Sequence, residues 1–292
     1  MSRQSNYSLK MLFHLRSVKL KIAVVGYGKL GRVLVRSLIK ARYRITSIID
    51  SLPINDKWID SHEINCSNGI EDIADATDFV FVCVNDDSIP DVARKIVREV
   101  TFTKPVTIAQ TAGSLPSTVI PSDDKSKISR LTWHPTQTFT GDEEPKHFKR
   151  VCITMDGDPS AIAIGSQIAR RLGAFTVEIP PEKRDIYHLG CVFASNFLPV
   201  LIGNSVEMLM KAGMSSEEAY NCLEPLLQST LKNITRRGIP AAVTGPLVRN
   251  DQETIRRHKI AISDDAQTVA LYEMLNTELA RLIKSGVPSG EV

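Results

Sequence analysis

The stretch "KIAVVGYGKLGRVLVRSLIK", residues 21–40, leaves the chain few options. A short run of β-branched residues enters a turn with Gly26, Gly28 and Gly31 in the spacing G-x-G-x-x-G. Apolar residues at helical spacing follow. A strand, a glycine turn and a helix in that order form the opening unit of a dinucleotide-binding α/β fold. The first glycine makes the tight turn. The second lets backbone approach a pyrophosphate, and the third lets helix and strand pack closely. The helix N-terminus offers unpaired N–H groups and a positive dipole end to the phosphates. Gly26, Tyr27, Gly28, Lys29, Leu30 and Gly31 are therefore candidate cofactor contacts.

The second strand, "YRITSIID", ends at Asp50, nineteen residues beyond Gly31. A carboxylate there accepts bonds from both ribose hydroxyls and repels a 2′-phosphate. No arginine follows at once, since the next residue is Ser51. NAD and NADP both remain, with NAD ahead.

Strand and helix patterns alternate through residue 180, as in a parallel sheet covered on both faces. "PPEK" at 180–183 ends this pattern, and helical periodicity then runs to the C-terminus. Ser215 and Glu218 form an S-x-x-E capping box. The expected plan is a flexible basic tail over 1–18, a Rossmann-like α/β domain over 19–180 and an all-helical domain over 181–292. Ligands of such sheets lie beyond the carboxyl ends of the strands. That makes Val84, Asn85 and Asp86 candidate cofactor contacts, and Thr111 and Ser114 candidate substrate contacts.

Five cysteines lie at irregular spacing, with no C-x-x-C pair. They read as reduced thiols of a cytoplasmic protein, with neither disulfides nor metal. A net charge of +3 gives a nucleic-acid partner no support. The run from Leu189 to Val206 has no charged residue and nearly reaches membrane-spanning length, about 20 residues. It contains Asn196, Pro199, Gly203, Asn204 and Ser205 and so reads as a buried helix, not a membrane span.

The strings "IAVVGYGKLG", "FVCVNDDSI", "QTAGSL", "WHPTQTF", "HLGCVFASNF" and "TGPLVRNDQETIRRH" occur in order. Together they resemble a family of short-subunit NAD(P)-dependent oxidoreductases. These join a Rossmann-like domain to a helical domain of uncharacterised function. In plan they are similar to 6-phosphogluconate dehydrogenase, ketopantoate reductase and pyrroline-5-carboxylate reductase. The resemblance implies a homodimer through the helical domain, a site in the cleft between domains, and a small-molecule substrate such as ketopantoate. This chain departs from the pattern at Gln110, where the family often has His, and at Asn250, within a segment often Arg-Gly-Asp. It also has Val192 where ketopantoate reductases carry a Lys four residues before Asn196.

Reduction of a 2-oxo acid needs a fixed nicotinamide, a proton donor and a cation for the carboxylate. His188 and His134 are the candidate donors. Asn196 is placed to polarise the carbonyl and Arg249 to hold the carboxylate. Ser195 and His258 are further candidate substrate contacts. Arg184, His188 and Asn196 fall on one face of an expected helix. His188 and Asn196 are then about 12 Å apart along its axis, so they line one groove without gripping one carbonyl. The competing expectation is a non-catalytic dinucleotide-binding scaffold, which the missing Lys and Gln110 favour.

Overall fold

The computed structural model describes residues 20–62, 64–122 and 127–285. The expected N-terminal tail lies outside them. The chain divides into two compact units, one ending at Ser195 and the other starting at Asn196.

The first unit is built on an eight-stranded sheet of order β3-β2-β1-β4-β5-β6-β7-β8. Its strands are β1 (Lys21–Val25), β2 (Arg44–Ile49), β3 (Cys66–Ser67), β4 (Phe79–Val82), β5 (Val106–Gln110), β6 (Ile128–Pro135), β7 (Cys152–Gly157) and β8 (Phe175–Glu178). The order reverses between β1 and β4, which marks the ligand crevice of this architecture. Strand side chains alternate between two cores. Phe79, Phe81, Leu131 and Trp133 pack with helices α1 (Lys29–Lys40) and α4 (Pro159–Arg171), whose α2 companion (Lys57–Asp60) is a single turn. Val80, Val82 and Ile108 pack with α3 (Ile89–Glu99) on the other side.

The sheet is parallel except between β6 and β7. The segment joining that pair carries one short 3₁₀ turn and no crossover helix. Without a helix to bring the chain back over the sheet, the next strand returns antiparallel. Helix α4 then restores a parallel step to β8.

Helix α5 (Arg184–Ser195) corrects the expectation of a long buried helix. The uncharged run is two helices, α5 and α6 (Leu198–Lys211), interrupted at Asn196 and Phe197. Pro199 accounts for the break. In a continuous helix it would lack the N–H that bonds the Ser195 carbonyl, and its ring would clash there. Asn196 therefore does not share a helix face with His188. Nor is the run buried. Ile186, Leu189 and Phe193 are exposed, and Phe193 is 64% exposed. The inward stripe of α5 is instead Arg184, Tyr187, His188, Cys191, Val192 and Ser195. This helix turns a mostly polar face inward and an apolar face outward. Taken as one stretch, Pro181–Lys211 is long and apolar enough to cross a membrane, and its most apolar 18-residue window has no buried residue. Its polar stripe, however, is bonded to the sheet.

The second unit contains α6, α7 (Ser216–Arg237), α8 (Ile239–Ala242), α9 (Gln252–Ala261) and α10 (Ala266–Ser285). The Ser215–Glu218 capping box is formed as expected. Among the described residues its buried apolar cluster is only Val206, Ala219 and Leu223. Leu226, Leu231, Ile260 and Met274 are exposed.

Candidate active site

The glycine turn has the sterics its spacing demands. Gly26 has φ +97, and a Cβ there would lie 2.5 Å from the Cys83 carbonyl oxygen. A Cβ on Gly31 would lie 2.0 Å from the Gly26 carbonyl oxygen. Nothing comes within 4 Å of a Cβ on Gly28, so that face is open. Helix α1 has no side-chain cap and no acid in its first turn. It carries Lys29 and Arg32 there, cations set against the positive dipole end, an arrangement an anion offsets.

The end of β2 completes the cradle. Asp50 accepts bonds from the Tyr27 amide at 2.6 Å and the Leu52 amide at 2.9 Å. It lines a cavity of about 230 Å³ with Gly28, Arg32 and residues 52–56. The Tyr27 hydroxyl donates to Asp56, and Arg36 pairs with the same carboxylate oxygen, each at 2.9 Å. Burial works against the Asp56 charge. Bonds from Tyr27, the Trp58 amide and Arg36 nevertheless hold its carboxyl below the usual range.

A second cluster forms beyond the ends of β4, β5 and β6. His134, near the end of β6, is hydrogen-bonded through Nδ1 to the Tyr187 hydroxyl at 2.7 Å. That hydroxyl is also 2.6 Å from Thr136 Oγ1. The His134 and His188 rings meet edge to face with centroids 6.3 Å apart. Both close on Gly113, where a Cβ would be 2.8 Å from His188 and 3.0 Å from His134. Burial pushes the His134 imidazole down to about 4, helped by the nearby charges of Arg184 and His188. Burial likewise pushes the Tyr187 phenol up to about 12. Burial raises the Asp86 carboxyl, and His188 opposes that shift, which places Asp86 in the field of the same ring.

Three buried groups hold this cluster. Gln110 donates to the Leu115 carbonyl at 2.6 Å and to Thr132 at 2.8 Å, and accepts from the Ala112 amide at 2.6 Å. Asp156 accepts from the Ser117 amide at 2.8 Å and from Arg184 Nε at 2.5 Å. Arg184 is 1% exposed, and among the described residues its Nη2 has no partner. Opposite pairing of β6 and β7 puts Thr132 beside Asp156 and His134 beside Thr154. The α5 stripe seats on these polar side chains.

The structure thus brings together Asp86, His134, His188 and the loop containing Thr111 and Ser114. The Thr111 hydroxyl donates to the Val82 carbonyl at 3.1 Å. Ser195 donates back to the Cys191 carbonyl at 2.8 Å. Asn196, Arg249 and His258 belong to the second unit. There Arg249 is exposed. His258 is bonded to the Tyr272 hydroxyl at 2.9 Å and lines an apolar cavity of about 670 Å³ between α6, α9 and α10. Asp251 caps α9, accepting from the Thr254 amide. Sequence reasoning missed Tyr187, Asp156 and the bracing role of Gln110. The available signal was Arg184, Tyr187 and His188 at i, i+3 and i+4.

Residues 21–113 match the family model described as NADP oxidoreductase, coenzyme F420-dependent. Residues 151–279 match a domain of unknown function, DUF2520. The chain joins these two domains. The histidine cluster draws on both, with Gly113 in one and Tyr187 and His188 in the other, while His134 lies between them. Several solved structures share the fold. A Bacteroides fragilis protein provisionally named an NADP oxidoreductase is 22% identical, with TM-score 0.73 over 89% of this chain and 98% of its own. A Thermotoga maritima protein is 21% identical, with TM-score 0.71 over 91% and 100%. Plasmodium falciparum pyrroline carboxylate reductase, solved with NADP bound, is 13% identical, with TM-score 0.58 over 90% and 98%. No curated protein sequence matches the chain.

Proposed function

We propose that this chain is an NAD(P)H-dependent reductase of a small 2-oxo acid, with ketopantoate as the reference substrate. The observation that carries the reading is the His134–Tyr187–His188 cluster, set around Gly113 on the same strand ends as the open glycine cradle. The nicotinamide, when bound, supplies hydride to the carbonyl carbon. The carbonyl oxygen takes its proton from His188, giving a 2-hydroxy acid. His134, whose imidazole is held down to about 4, is neutral at pH 7 and acts there as a hydrogen-bond donor rather than an acid. Thr111 and Ser114, on the loop beside Gly113, are the substrate-side residues nearest the cluster.

Asp50 favours NADH, whereas Arg32 in the same cavity and the NADP named for the relatives favour NADPH. Titrating both cofactors, and following their oxidation with a panel of 2-oxo acids and cyclic imines, tests the reading. Turnover with a 2-oxo acid, lost in His188→Ala, is expected. Cofactor binding without turnover of any panel member overturns the reductase and leaves a scaffold. A tenfold preference for NADPH overturns the ribose role of Asp50.

The active form on this reading is a cytoplasmic homodimer. Its support is the outward apolar face of α5 and the exposed Leu226, Leu231, Ile260 and Met274 of the helical unit, apolar side chains that a partner copy would cover. Light scattering is expected to give twice the chain mass at micromolar concentration. A monomer with the same circular dichroism would remove the dimer.

A further inference from the structure

We propose that Tyr187 is a positioning residue that fixes the His134 proton on Nε2, so that the ring presents an N–H donor toward the gap beside Gly113. The Tyr187 hydroxyl has one proton to give, and Thr154 and Cys191 lie beside it as well as His134 and Thr136. In the first arrangement Thr136 donates to Tyr187 and Tyr187 donates to Nδ1; in the others Nδ1–H donates to Tyr187, whose own proton goes to Thr136, Thr154 or Cys191. A phenol is a better proton donor than a neutral imidazole N–H. An imidazole nitrogen is a better acceptor than an alcohol oxygen. The first arrangement therefore matches each donor to its best acceptor. The phenol keeps its proton to well above neutral pH, since burial holds it near 12. The hydrogen bond on one ring nitrogen sets which nitrogen carries the proton.

The other end of the ring agrees. Among the described residues, His134 Nε2 meets no hydrogen-bond partner. It lies 3.0 Å from where a Gly113 Cβ would be. The ring is half-buried, and a nitrogen left without a protein partner beside a residue that has no side chain is open to a ligand atom. An oxygen that gains negative charge is the acceptor this donor suits.

The substrate part of this inference rests on the reductase reading, but the tautomer does not. Long-range ¹H–¹⁵N correlation spectra of ¹⁵N-histidine-labelled full-length protein report it directly at pH 7. Wild type is expected to show His134 as the Nε2–H form. Tyr187→Phe is expected to introduce a substantial Nδ1–H population and to lower kcat at least about tenfold, with cofactor affinity unchanged. Absence of turnover with an intact Nε2–H signal would sink the reductase and leave the Tyr187 assignment standing. An Nδ1–H form in wild type overturns the proposal even if Tyr187→Phe does not fold. So does a His134 tautomer that Tyr187→Phe leaves unchanged.

Discussion

Asp156→Asn is expected to destabilise the first unit by about 3–5 kcal/mol, the cost of breaking a buried ion pair from one side. Asp156 is 5% exposed and Arg184 1% exposed. Without the carboxylate the guanidinium keeps a 3.4 Å contact with Thr154 and its place over the Tyr187 ring, neither of which carries the opposite charge. The charge is then left uncompensated among buried groups, and an asparagine amide cannot replace it. The same change weakens the Ser117 amide bond, so two segments loosen together: the loop carrying Gly113 and the helix carrying Tyr187 and His188. Removing both partners has a different outcome. Asp156→Leu with Arg184→Met deletes both charges and is expected to recover most of the loss in stability, while the loop is still freed from Ser117. Urea unfolding followed by Trp fluorescence separates the cases. A single Asn variant within about 1 kcal/mol of wild type would mean that water reaches Arg184 and the pair is not a keystone.

How legible these features were in the sequence depended on the range of the interactions behind them. The glycine spacing is a local steric statement. Gly31 has no room for a Cβ because the Gly26 carbonyl is five residues away on the same turn, so the motif reads directly. The direction of β7 was not written in its periodicity, because a strand has the same alternation whichever way it runs. Only the absence of a helix between Gln137 and Val151 carried that information. Helix α5 misled for a physical reason. Hydropathy counts residue types without direction, and this helix buries Arg184 and half-buries Tyr187 while exposing Ile186 and Phe193. Its partner surface is a polar sheet face made by Thr132, His134, Thr154 and Asp156, which no local pattern announces. The bond from His134 to Tyr187 spans 53 residues. The sequence offered His134 and His188 as separate candidates, and the fold supplied the phenol that joins them.

Gly113→Ala is expected to lower kcat about 100-fold while leaving cofactor affinity within about twofold. The backbone at Gly113 lies outside the left-handed region, so alanine adopts it without strain, and the fold should survive. The new methyl would sit 2.8 Å from the His188 ring and 3.0 Å from the His134 ring. The first distance forces a movement and the second leaves almost no room, and the two rings differ in how they can respond. His134 is held by Tyr187 and the strand beneath it. His188 is half-buried on the helix and has to turn away. That moves the proposed proton donor off the substrate oxygen while the cradle from Gly26 to Gly31 keeps its shape. The loss should fall on kcat, with the dissociation constant for the reduced cofactor, read by fluorescence, nearly unchanged. His188→Ala in the Gly113→Ala background should then cost little more, because two changes acting through one ring are not additive. Wild-type turnover in Gly113→Ala would mean that the two histidines do not bound the reacting oxygen. The search for the proton donor would then move to the Asp86 side of the cluster.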